Sequence, residues 1–86
     1  MPFVYILRSM DGQHWYTGYT ENIEKRIKKH NSSGTAWTKK FKPWDLVHKE
    51  FYESEEQARK RERFLKSKEG YLEYREIKES VSGGVA

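Results

Sequence analysis

Two phenols flank the strongest turn signal in the chain. Tyr5 and Tyr16 stand on either side of Met10-Asp11-Gly12-Gln13, each inside a run rich in β-branched or aromatic residues. Strand packing is the ordinary account of such residues; two hydroxyls brought together for proton transfer is the chemical one. A phenol has a free pKa of about 10, so it acts as a base near neutrality only where positive charge or a metal favours the phenolate. Arg26 and His30 are four residues apart, on one face of a helix that contains both, flanking Ile23 and Ile27. A guanidinium fork can hold a phosphate bidentately and offset charge that develops on it. An imidazole can donate to the same oxygens or take a proton near neutral pH. Taken singly, Arg26 reads as a surface charge and His30 as a polar residue in a helix's last turn. Glu62 lies beside the helical stripe of Ala58 and Leu65, where a carboxylate is costly unless a cation or donor meets it. Lys66, one turn on, is the simple partner; a hard cation such as Mg²⁺ or Mn²⁺ is the functional one. His14 and His48 have no partner at metal-ligand spacing and read as strand residues.

These side chains act together only if the backbone gathers them. Phe3 to Arg8 reads as a strand, and His14 to Tyr19 as its partner across Asp11-Gly12. A two-residue Asp-Gly loop sets Tyr5 opposite Gly18 and Tyr16 opposite Leu7, which makes the tyrosines diagonal neighbours on one face, with open space above Gly18. Thr20 or Asn22 can cap a helix that runs to about Asn31, stopped by Asn31-Ser32-Ser33-Gly34. Residues 32–43 read as a polar, basic loop containing Trp37 and Phe41, followed by a strand from Trp44 to Tyr52. Ser54-Glu55-Glu56-Gln57 is a capping box that starts a helix to about Ser67, and a last helix follows from Tyr71 to about Lys78. The expected fold is α+β, a small three-stranded antiparallel sheet flanked by helices in the order β-β-α-β-α-α. One domain is expected over residues 1–79, with a flexible tail over 80–86.

Size and charge narrow the chemistry. With 86 residues the chain supports one small core and no large internal cofactor pocket. It has no cysteine, which rules out disulfides and thiolate metal sites. The amino terminus lacks the basic start and long apolar run of a secretory signal, and no segment approaches a membrane span, so a cytoplasmic protein without membrane contact is expected. Net charge is only +4, but residues 25–49 hold eight basic side chains against the single acid Asp45, a local charge of +7. Such a segment suits phosphate backbones, although a solvated basic face would look the same. Aromatic residues near Lys39, Lys40 and Lys42 would equally suit a single-strand binder without chemistry.

The order of these residues resembles the GIY-YIG nuclease family, in its small single-domain bacterial branch. The likeness rests on VYIL around Tyr5, YTG at residues 16–18, Arg26, His30-Asn31, and ARKRERFLK with Glu62, and spans about Phe3 to Lys68. It is similar to the amino-terminal nuclease domain of the excinuclease. The resemblance implies metal-dependent hydrolysis of DNA phosphodiesters: Tyr5 or Tyr16 prepares the attacking water, Arg26 contacts the scissile phosphate, His30 assists, and Glu62 binds Mg²⁺ or Mn²⁺. Departures are visible. Phe3-Val4 stands where the first motif usually begins with glycine, Thr17 sits in the middle of the second, and Tyr19 follows it where larger members carry lysine. The asparagine that larger members place after the metal glutamate's helix has no counterpart here.

The sequence thus leads to a DNA endonuclease with a role in repair or recombination, or to a repair-accessory module of the same fold that binds nucleic acid without cutting it. A protein-interaction domain is disfavoured by the charge of residues 25–49. Contacts are expected mostly with the DNA backbone, from Lys25, Lys28, Lys29, Lys39 and Lys40, with the structure of the DNA rather than its sequence setting preference. RNA stays open as a second substrate, and the oligomeric state is not encoded legibly.

Overall fold

The Asp11-Gly12 signal closes a hairpin between β1 (Phe3–Ser9) and β2 (Trp15–Thr20) in a computed structural model that describes residues 1–32 and 36–83. The loop is longer than the two-residue type: Ser9 and His14 form the last backbone pair, the Ser9 amide donating to the His14 carbonyl at 2.9 Å. Gly12 takes a φ of +73°, where a side chain would be strained. Asp11 Oδ1 accepts from the Gln13 amide at 2.9 Å and from the Ser9 hydroxyl, which locks the turn. Met10 and Gln13, one residue from each arm, join the loop, so the register survives. Tyr5 opposes Gly18 and Leu7 opposes Tyr16, the register expected from the sequence.

β3 (Trp44–Phe51) pairs antiparallel with the other edge of β1, giving the order β2-β1-β3. A bulge leaves Val47 unopposed, because Ile6 faces His48 while Leu7 faces Leu46. β1 is therefore central, and Val4, Tyr5, Ile6 and Leu7 are fully buried. Each face of the sheet carries its own cluster. Val4 packs with Ala58, Leu65, Tyr74 and Ile77 on one side. Tyr5 and Leu7 pack with Trp44, Tyr16, Ile23, Ile27 and Phe41 on the other.

The helices supply these covers. α1 (Ile23–Ser32) and α2 (Ala36–Lys40) lie over the tyrosine face, while α3 (Glu55–Lys66) and α4 (Tyr71–Gly83) lie over the opposite one. Asn22 caps α1, its Oδ1 accepting from the Lys25 amide at 3.0 Å, and Thr20 Oγ1 supports it by accepting from the Asn22 amide at 3.2 Å. Ser54 caps α3 by accepting from the Gln57 amide at 3.2 Å. The order is the expected β-β-α-β-α-α, with the one-turn α2 added inside the segment read as a loop. Ser33 and Gly34, expected to stop α1, lie outside the described residues. α4 continues past Lys78 to Gly83, so residues 80–83 of the expected tail are helical, and residues 84–86 lie outside the described ones. Among the described residues no helix is long and apolar enough to cross a membrane.

Candidate active site

The hairpin register brings the two phenols together. The Tyr5 and Tyr16 ring centroids are 6.2 Å apart on the face below α1. The space expected above Gly18 is not open but filled by these rings. A Cβ on Gly18 would stand 2.7 Å from the Tyr5 hydroxyl and 3.1 Å from Tyr16 Cε2, so this position accepts no side chain without displacing Tyr5. Tyr5 has no exposed surface, whereas Tyr16 is only half-buried.

His30, at the end of α1, reaches down to the same phenol. Its Nε2 lies 3.1 Å from Tyr5 Oη and its Nδ1 lies 3.0 Å from Thr38 Oγ1 on α2. Tyr5, His30 and Thr38 are all buried, so the chain of polar atoms is sealed. A neutral imidazole has one donor and one acceptor nitrogen. Either Tyr5 donates to Nε2 and Nδ1–H donates to Thr38, or Thr38 donates to Nδ1 and Nε2–H donates to Tyr5. Burial lowers the His30 pKa, and the charges of Arg26 and Lys29 lower it further, so the ring is uncharged near neutrality. Burial also pushes the Tyr5 phenol well above its ordinary value, and the neighbouring Tyr16 and the Glu62 charge add to the rise, while Arg26 opposes it by charge and hydrogen bond.

Arg26 lies one turn before His30 on α1, near enough for its charge to be felt at both Tyr5 and His30. Among the described residues no carboxylate pairs with it. It lines a groove with Thr20, Glu21, Asn22, Lys25 and Lys29 along the start of α1. Lys25, Lys28, Lys29, Lys39 and Lys40 are the lysines of this layer, and all five are exposed, while Arg26 is half-buried. Glu62 approaches from α3, with its side chain 18% exposed and Lys66 Nζ 2.9 Å from Oε2. The same ammonium lies 5.8 Å from the centroid of the Tyr16 ring. Lys66 is the simple partner foreseen from the sequence, and it does not exclude a second cation.

Among the described residues no group of three or more His, Cys, Asp or Glu converges on a point. A dedicated all-protein cage is thus missing there, but one carboxylate is enough for a hydrated hard cation that takes its remaining oxygens from water and phosphate. Glu62 fits that description. A second groove lies in the other layer, against α3 and α4, lined by Phe64, Leu72, Glu69, Glu73 and Glu76. Its three carboxylates would repel a polyanion, which leaves the tyrosine face as the candidate site.

Structure adds residues that spacing did not reveal. Thr38 holds the far nitrogen of His30. Asn31 acts as a backbone mimic, its Nδ2 donating to the Trp44 carbonyl at 3.1 Å and its Oδ1 accepting from the Trp44 amide, which ties the end of α1 to β3. Trp44 Nε1 in turn donates to the Thr38 carbonyl at 2.7 Å and fixes α2. Trp37, 44% exposed, packs edge or tilted against Tyr16, Phe41 and Trp44 and forms an aromatic wall beside the half-buried phenol. An Asn following His30 at a helix end is the one sequence signal for this assembly; nothing in the pattern marks Thr38.

Comparison with known proteins agrees with this geometry. The family model described as the GIY-YIG catalytic domain matches residues 1–75. A UPF0213 protein of Clostridium perfringens is 45% identical over 77% of this chain and 71% of its own length. A UPF0213 protein of Staphylococcus aureus is 41% identical over 90% of this chain and 94% of its own. The solution structure of a UPF0213 protein from Bacillus halodurans is 37% identical and covers 90% of this chain and 85% of that one, with a TM-score of 0.51. With the family model matched across both tyrosines, Arg26, His30 and Glu62, the chain belongs to the GIY-YIG catalytic domain family.

Proposed function

We propose that the protein is an endonuclease that hydrolyses DNA phosphodiesters with the help of a divalent cation, in a repair or recombination role assigned by analogy. The observation that carries this reading is the gathering of the Tyr5 and Tyr16 phenols and the His30 imidazole on one face, next to an Arg26 that has no carboxylate partner among the described residues and whose charge is felt at Tyr5 and His30. Glu62 would hold Mg²⁺ or Mn²⁺, which when bound supplies Lewis-acid polarisation of the phosphate. Arg26 offsets the charge that grows on the non-bridging oxygens. Tyr16, the phenol with open surface, orients the attacking water. Tyr5 and His30 hold Tyr16 and Arg26 in place from below. Lys25, Lys28, Lys29, Lys39 and Lys40 take the flanking phosphates, without reading bases.

The test is cleavage of labelled single-stranded, duplex, flapped and branched DNA with Mg²⁺, Mn²⁺ or EDTA, parent beside Glu62→Ala. Cleavage is expected to need the cation and to fall at least about a hundredfold in the variant while DNA binding persists. A variant that cuts as fast as the parent removes Glu62 from the mechanism. One observation favours a second reading: the ammonium of Lys66 already neutralises Glu62. Salt-sensitive binding with no cutting of any substrate, RNA included, would make the protein a repair-accessory module.

A further inference from the structure

Lys66 touches two members of the candidate site at once. Its Nζ pairs with Glu62 at 2.9 Å and rests 5.8 Å from the Tyr16 ring centroid, bridging the carboxylate and the half-buried phenol from one turn further along α3. Its side chain is 48% exposed, so the ammonium can leave the carboxylate for water at small cost, whereas Glu62 is the more enclosed partner at 18% exposure. Among the described residues Lys66 is the sole cation within ion-pair distance of Glu62.

We infer that Lys66 is a positioning residue that acts as a built-in counter-ion for Glu62, competing with the divalent cation for the same carboxylate. This inference rests on the assignment of Glu62 as the metal ligand under the proposed function. In the metal-free protein the pair keeps the site from presenting a bare negative charge to an arriving phosphate. The binding of a cation then requires the ammonium to give way. Competition of this kind weakens metal affinity by the worth of a half-exposed ion pair.

The test needs no activity. Mn²⁺ is titrated into the ¹⁵N-labelled full chain, and paramagnetic broadening of individual amide signals gives both the location and the midpoint of binding. Lys66→Met is expected to bind Mn²⁺ about two- to fivefold more tightly than the parent. Lys66→Arg, which keeps the charge, is expected to stay near the parent midpoint. Should Lys66→Met lose the dispersed amide spectrum of a folded chain, Lys66→Gln takes its place with the same expected shift. A midpoint unchanged or weaker in the neutral variants overturns the inference. The Glu62→Gln variant separates the counter-ion role from the metal assignment. If broadening around residue 62 disappears there while the Lys66 variants match the parent, the counter-ion role alone fails; if broadening persists unchanged, the metal assignment fails with it.

Discussion

Tyr5 and Tyr16 lie on one face of one hairpin, and burial gives them different work. Tyr5 is sealed, bonded to His30 Nε2 at 3.1 Å, and its phenol is pushed up by burial, so it is poorly suited to taking a proton from water. Tyr16 keeps open surface beside Trp37 and the Lys66 ammonium. Tyr5→Phe is therefore expected to lower folding stability by about 1 to 3 kcal/mol, because it leaves a buried imidazole nitrogen without its partner. Tyr16→Phe should change stability by no more than about 0.5 kcal/mol while slowing cleavage at least about a hundredfold. Urea unfolding and cleavage rates of the two variants check this together, and equal stability losses would remove the distinction. At this scale the sequence was informative where local geometry decides. The four-residue step from Arg26 to His30 sets a shared helix face, from which His30 bonds the Tyr5 hydroxyl and the Arg26 charge is felt there. Thr38 stayed hidden because its bond to His30 joins a helix end to a one-turn helix that no periodicity announces.

Elements were legible to the extent that their ends carry chemistry of their own. The Ser54 cap and the Gly12 turn are local: the cap appears as expected, and the turn falls where expected but in a longer loop that keeps the register. The central position of β1 was less legible: Val4, Tyr5, Ile6 and Leu7 read as one arm of a hairpin, and only the later pairing with β3 buries both faces. What fastens β3 to the helices is a charge network that spacing could not show. Arg61 of α3 donates to Glu50 of β3 at 2.8 Å and pairs with Glu73 of α4, while His48 and Tyr52 also bond Glu50. Burial alone would raise the Glu50 pKa, but the hydrogen bonds from Arg61, His48 and Tyr52 outweigh it and hold the carboxyl down at about 2. A depressed carboxyl stabilises the fold fully above its unfolded value near 4.5 and loses that contribution as pH falls toward 2. Unfolding free energy is thus expected to drop between pH 4.5 and 2, with Glu50 contributing about 1 to 2 kcal/mol of the fall once solvent screening is included. Glu50→Gln should be less stable at pH 7 and show a shallower acid slope in urea melts. An acid slope identical to the parent's would mean that other carboxyls carry the effect.

Across the whole molecule the sheet separates two kinds of surface. The tyrosine side carries α1 and α2 with Lys25, Lys28, Lys29, Lys39 and Lys40, and the far side carries Glu69, Glu73 and Glu76 in its groove. A net charge of only +4 understates the field over the candidate site, because residues 25–49 alone carry +7 while residues 55–79, with eight Lys and Arg against seven Glu, are close to neutral. A polyanion should approach from the α1 and α2 side, and its binding should be governed by counter-ion release. Each phosphate neutralised on duplex DNA contributes about −0.9 to the slope of log affinity against log salt. With one phosphate for each of the five lysines, the parent slope is expected to be about −4 to −5. Replacing Lys39 and Lys40 with glutamine removes two of those contacts, so the slope should become shallower by about 2. The loss should be the same for duplexes of unrelated sequence, because contacts to phosphate carry no base information. Fluorescence anisotropy over a salt series, in EDTA so that nothing is cut, measures both quantities. An unchanged slope in the double variant would mean that the DNA does not pass over α2, and a sequence-dependent loss would mean that this segment reads bases.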